Sequence, residues 1–344
     1  MELSARKQAI LTAVVKAYIK TGEPIGSKLL SNILNLSLSS ATLRNEMSEL
    51  CELGLLEQPH TSAGRVPSVM GYKMYVDSVL GSNTLNDEQK QKIDSLISKL
   101  PDDPQLIPTA AAELLSQYTG LASISATDFN YSTFIKHAHA TLIGRRTILM
   151  VLIASNGASK SQVCRSENDL TDNDIENLNA IINEYIISKK LTLLDKVYLQ
   201  NIVSSYGWDA LRLTGLLSQI FTSVSELKTS KLYIKGQANL FGGSFAEDDA
   251  LKILKMLSNT DSVIAMLNSL NDPINVVFAN SADATLEHPP CMIIANCKIP
   301  GNTPTKIGVI GPARISYESI IPGIEYFSKA LSTHINRALE FMED

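Results

Sequence analysis

A chain of 344 residues exceeds one small domain, so two or three domains with sizeable cores are expected. Its 44% apolar and 19% charged residues are those of a globular protein, which excludes a disordered or coiled-coil chain. The net charge of −5 gives no general attraction for polyanions. Residues 1–80 hold eight Lys/Arg against seven Asp/Glu and the remainder 22 against 28, so pattern rather than charge must carry the reading.

The first residues lead straight into an amphipathic stretch with no signal peptide, and the longest strongly apolar run, 147–154, is strand-sized rather than bilayer-sized. Cys51, Cys164, Cys291 and Cys297 show neither CxxC nor metal-ligand spacing and are too sparse for a disulfide scaffold. A cytoplasmic chain with no membrane partner is expected.

Ile10, Val14 and Tyr18 recur every four residues and predict a helix over 4–20, ended by the Gly22/Pro24 turn. Ser27 sits where an N-cap belongs, ahead of a two-turn helix that begins at Lys28. Ser39 is a second N-cap candidate, for a helix over 40–53. In that helix Leu43, Met47, Leu50 and Leu53 face inward, while Ala41, Thr42, Arg44, Asn45 and Ser48 form a short polar face. Small residues allow close approach to a major groove, Arg can read guanine or phosphate, and Asn can read adenine. Gly54 closes the helix, and strands at 55–58 and from Val66 enclose the loop His60, Thr61, Ser62, Ala63, Gly64, Arg65. Three helices, strand, loop and strand are in winged-helix order. The loop hydroxyls and Arg65 suit phosphate or minor-groove contact, and His60 either touches DNA or caps the strand.

The run 54–67 (GLLEQPHTSAGRVP), followed by GYKMYVD at 71–77, closely resembles the signature of the HrcA heat-inducible transcription repressors. The segment SSATLRNEM at 39–47 is similar to that family's recognition helix, and GVIGPARISY at 308–317 to its C-terminal signature. Val69-Met70 stands where many members carry a charged pair, and VVFAN at 276–280 where glycine and an acidic residue are more frequent. The resemblance implies an α+β multidomain chain. A winged helix-turn-helix over 1–80 would precede a GAF-like α+β domain, made of 81–144 and 237–344 and interrupted by an inserted dimerising α+β domain at 145–236. It further implies a homodimer on double-stranded DNA of the CIRCE inverted-repeat type, repressing chaperone operons and tuned by the GroEL chaperonin. The DNA-contacting set is then Ser27, Lys28, Ser39, Ser40, Thr42, Arg44, Asn45, Ser48, His60, Thr61, Ser62 and Arg65.

Beyond a linker near 81–84, Asn86 and Gln89 form a capping-box pattern for a helix to 99. Residues 101–108 interrupt it, and 110–118 are helical again. Strands are expected at 122–126, 134–143, 147–154 and 161–165, with Asn156-Gly157 as a hairpin turn. Thr171 caps a helix to 187; helices at 194–204 and 208–226, a strand at 231–235 and helices at 247–257 and 261–267 follow. Strands at 274–279, 291–295 and 306–310 precede a final helix over 317–342, with Ile320, Ile324, Phe327, Leu331, Ile335 and Leu339 on its buried side.

No catalytic constellation emerges, so no enzyme, cofactor or metal is expected. Gly308 to Pro312 lack the GxGxxG and P-loop patterns and read as a strand-to-helix turn. His137 and His139 read as exposed strand-face residues without an acidic or Cys partner, and His334 as a surface or cap residue. His288-Pro289-Pro290-Cys291 reads as a loop rather than a thiol–imidazole pair. The rival hypothesis is a winged-helix regulator whose GAF-like domain senses a small molecule; a ligand-dependent melting shift would favour it.

Overall fold

The computed structural model describes residues 3–34, 39–60, 63–81, 84–127, 133–241, 247–278, 290–298 and 305–340. Thr61, Ser62, His288, the break at 35–38 and the centre of the 81–84 linker lie outside them. It is a mixed α+β structure with three cores. Among the described residues no helix is long and apolar enough to cross a membrane.

The first unit holds α1 (Ala5–Thr21), α2 (Ser27–Leu34), α3 (Ser40–Glu52), an antiparallel pair β1 (Leu56–Glu57) and β2 (Val66–Pro67), and α4 (Val69–Val79). Ser39 caps α3 as expected, its Oγ accepting from the Thr42 N–H at 3.1 Å. Ser27 is itself the first residue of α2, and the Gly26 carbonyl accepts the Leu30 N–H, so the cap falls one residue earlier than expected. The Gly54 N–H bonds the Cys51 carbonyl and the Leu55 N–H bonds that of Leu50, a double closure that ends α3. Leu53, expected inward, is the C-cap and is 39% exposed. The helix α4 was not foreseen at all. Its N-cap Ser68 donates to the Gly54 carbonyl at 2.6 Å and accepts from the Gly71 N–H, joining the end of α3 to the start of α4.

A five-stranded antiparallel sheet has the order β7-β3-β10-β9-β8, built from β3 (Ala122–Thr127), β7 (Lys231–Lys235), β8 (Ile274–Phe278), β9 (Pro290–Cys297) and β10 (Thr305–Pro312). Alternation splits its side chains. Cys291, Ile293, Ala295 and Cys297 face α5 (Asp87–Ile97), α6 (Ile107–Thr119) and the last helix of the chain; Met292 and Ile294 face α10 (Glu247–Ser258) and α11 (Thr260–Asn268). The Asn86/Gln89 capping box closes α5 reciprocally. Pro108 does not interrupt α6 but sits in its first turn, where proline costs no hydrogen bond. Gly308 to Pro312 form no turn either. They lie inside buried β10, where a Cβ on Gly308 would collide with the Ile293 carbonyl oxygen.

Between β3 and β7 lies a unit with its own core. The antiparallel sheet β4-β5-β6, from β4 (Ile135–Gly144), β5 (Thr147–Ala154) and β6 (Ser159–Arg165), packs on α7 (Asp172–Tyr185), α8 (Lys196–Tyr206) and α9 (Trp208–Leu227). The expected hairpin turns at Gly157, φ +79°, and Thr171 caps α7 in a capping box with Asp174. His137 and His139 are exposed as expected. The chain ends in α12 (Tyr317–Glu340), whose fully buried stripe is shifted from the expected one: Ile321 and Ala338 are buried where Ile320 and Leu339 are half-buried. His334 is no surface residue, being 7% exposed with its Nε2 3.0 Å from the Pro101 carbonyl oxygen.

Candidate nucleic-acid interface

The sequence of α3 sorts its charges before any partner arrives. Two of its three carboxylates are held by the start of α1: Arg6 lies 3.4 Å from Glu46, and Lys7 lies 2.6 Å from Glu49, while Glu52 is exposed in the last turn. The Glu49 hydrogen bond keeps the Lys7 pKa above its ordinary value, so the ammonium stays charged. On the remaining face Ser40, Ala41, Arg44 and Asn45 are exposed, with Thr42 and Ser48 half-buried. Arg44 forms no ion pair among the described residues. Ser39 and Thr42 bond each other's hydroxyls at 3.0 Å, so both serve the cap as well as the surface.

The second element is the loop between β1 and β2. Arg65 exchanges both backbone hydrogen bonds with Ile25 at 2.8 Å, adding a rung that carries the loop beside the start of α2. Ser27 and exposed Lys28 follow immediately. This approach requires Gly64, since a Cβ there would lie 2.5 Å from the Ile25 carbonyl carbon. The Arg65 side chain is half-buried. Nη1 lies 3.4 Å from the Ala63 carbonyl oxygen, while buried Nε has no hydrogen-bond partner among the described residues. An unmet N–H on a cation at a loop rim is a group that an anionic oxygen would satisfy. His60 is exposed, its carbonyl accepting the Ala63 N–H at 2.9 Å. Thr61 and Ser62 fall outside the described residues.

Sequence reasoning missed how this surface is mounted. The apolar core of α1–α4 is continuous with that under α12 and the five-stranded sheet. Tyr72 and Tyr75 of α4 meet Tyr317 of α12 at ring separations of 6.2 and 6.1 Å, and Tyr72 stacks on Phe278 at 6.0 Å. Lys16 bonds Glu318 at 2.6 Å across the same joint. Burial pushes the Cys291 thiol up to about 12 against a hydrogen bond with Tyr317, so it is a neutral packing group rather than a nucleophile. A serine one residue before α4 and the aromatic spacing Tyr72/Tyr75 were the available signals.

A family model described as the HrcA protein C terminal domain matches residues 107–321. The chain is 31% identical over 343 residues to a heat-inducible transcription repressor HrcA of Clostridium botulinum (strain Eklund 17B / Type B), covering 98% of this chain and 99% of that protein. To the protein of the same name from Clostridioides difficile (strain 630) it is 31% identical over 340 residues, covering 95% and 98%. A crystal structure of a hypothetical protein shares the fold over 98% of this chain and 100% of its own, with a TM-score of 0.65 at 19% identity. The match spans both the helical first unit and the sheet unit, and the chain belongs to the HrcA family of heat-inducible transcription repressors.

Proposed function

We propose that this chain represses heat-shock operons as a homodimer on a CIRCE-type inverted repeat, with α1–α3 and the β1–β2 hairpin acting as a winged helix-turn-helix. In this reading α3 enters the major groove with Arg44 and Asn45 toward base edges. Ser27, Lys28, Ser39, Ser40, Thr42 and Ser48 flank it, and His60, Thr61, Ser62 and Arg65 form the wing. The carrying observation is the charge sorting of α3. Glu46 and Glu49 are tied to Arg6 and Lys7 and the third carboxylate, Glu52, lies in the last turn, while Arg44 nearer the N-terminus is exposed and forms no ion pair among the described residues. A groove of negative phosphates would repel the reverse arrangement.

The five-stranded sheet with its helices is the GAF-like part, and the β4–α9 unit is the inserted dimerising part. The second core already includes Ile135, Ala138 and Ala140, which favours a start for that unit near 133 rather than 145. Leu149, Val151 and Ile153 of central strand β5 point away from α7–α9 and are only half-buried, beside exposed Ile143 and Val163. A central strand apolar on both faces suits a second copy as cover. The GroEL chaperonin would set how much repressor is active.

Arg44→Ala or Asn45→Ala should each narrow the preference for the operator over a scrambled duplex by about 1–3 kcal/mol. Unchanged discrimination in both removes the recognition-helix assignment. Arg65→Ala should weaken binding to every duplex and flatten its salt dependence; an unaltered salt slope contradicts the phosphate role.

A further inference from the structure

At the C-terminus of α1, Gly22 has φ +76° and its N–H bonds the Tyr18 carbonyl. A Cβ at this position would lie 2.7 Å from Arg314 Nη1 and 3.1 Å from Cζ, so the guanidinium is seated directly on this glycine. The last carbonyls of a helix carry its partial negative charge, and a cation there is favourable. Arg314 comes from the other side of the joint, in the turn between β10 and α12. That turn is held rigid: the Tyr317 hydroxyl donates to the Ala313 carbonyl at 2.6 Å, and the Tyr317 N–H bonds the Ile315 carbonyl. The cation is thus fixed by the sheet unit and applied to the unit that carries α3. Beside it the Tyr72 hydroxyl is buried without a hydrogen-bond partner among the described residues, so packing and charge hold this joint with little directional bonding from that tyrosine.

We infer that Arg314 is a positioning residue for operator binding, a latch that fixes the α1–α4 unit on the sheet unit so that the two α3 helices of a dimer keep one spacing. The inference rests on the reading of α3 and of the dimer proposed above. A latch of this kind contributes little to one arm of an inverted repeat. It contributes strongly to two arms together, because the second contact is gained at an effective concentration set by how well the geometry is held. Lys16 and Glu318 support the same alignment with a second ion pair across the joint.

The test uses full-length protein, with circular dichroism to verify the fold, and fluorescence anisotropy on two duplexes. One carries both arms of the CIRCE repeat and the other has one arm scrambled. Arg314→Gln should lose about tenfold or more on the two-arm duplex, with one-arm affinity within about twofold of wild type, and Arg314→Lys should recover part of the loss. An equal loss on both duplexes, or none on either, overturns the latch. If Arg314→Gln does not fold, Lys16→Glu with and without Glu318→Lys gives the same readout. The single variant should lose two-arm preference and the double should regain it; failure of either overturns the proposal. Wild-type protein that binds a duplex with both arms scrambled as tightly as the intact repeat removes the DNA reading itself, and the latch with it.

Discussion

Residues of α1–α4 bury their apolar faces in a core that runs on into α12 and the five-stranded sheet, whereas β4–β6 and α7–α9 close a core of their own. The middle unit also closes its edges. Asn179 of α7 brackets the outward Ala140 N–H and C=O of β4 at 2.9 Å each, and Gln219 of α9 does the same for Arg165 of β6 at 3.0 and 2.8 Å. Two amide side chains stand in for missing neighbour strands, which protects an edge from pairing with another chain. The difference teaches that the helices with the candidate DNA surface are no independent module on a tether. What disturbs α12 must reach them, while the middle unit can change without them.

The strongest way to break this comparison is Tyr317→Ala, which empties a fully buried aromatic site and should cost about 3 kcal/mol or more. Hydrogen exchange should rise together in α1, α4 and α12 and stay unchanged in β5; protection retained in α1 would show that the first unit folds alone. Leu217→Ala, in the middle core, should cost about 2–5 kcal/mol and raise exchange only within β4–α9. Spread of that effect to α3 would contradict the separation of the cores. Asn179→Ala should cost about 1–3 kcal/mol by leaving the Ala140 backbone groups unmet, and should produce concentration-dependent association in light scattering.

How much was legible in the sequence divides along the same line. The Asn86/Gln89 capping box, the Thr171 cap, the Asn156-Gly157 hairpin and the elements of the middle unit were readable because each is decided by residues close in sequence. The α3 face and the loop to Arg65 were readable for the same reason. What was missed is decided at long range. Gly311 and Pro312 look like a turn locally but extend the strand expected at 306–310, pairing with Cys291 and Pro290 of β9. His334 is buried by a carbonyl 233 residues away. The helix α4 opens on Ser68 without the acidic partner of a capping box, and its aromatic face has meaning only against Tyr317.

The smallest expected effect is a pH dependence confined to the middle unit. Burial works against the Asp174 carboxylate, but hydrogen bonds from the Thr171 hydroxyl and N–H, with Arg212 beside it, hold its pKa below the ordinary value. A depressed folded pKa contributes stability that is present above the unfolded value and lost as pH falls through the folded one. The melting transition of the β4–α9 unit should therefore shift downward below about pH 4. Asp174→Asn should flatten that shift; an unchanged shift in the variant would assign it to other carboxylates.

The most direct test of the central claim is a salt series of fluorescence anisotropy titrations, with wild-type protein on a CIRCE duplex and on a scrambled control, with and without GroEL. The account predicts affinity for the CIRCE duplex about a thousandfold or more above the control, with salt weakening both. Equal affinity for the two duplexes would contradict it.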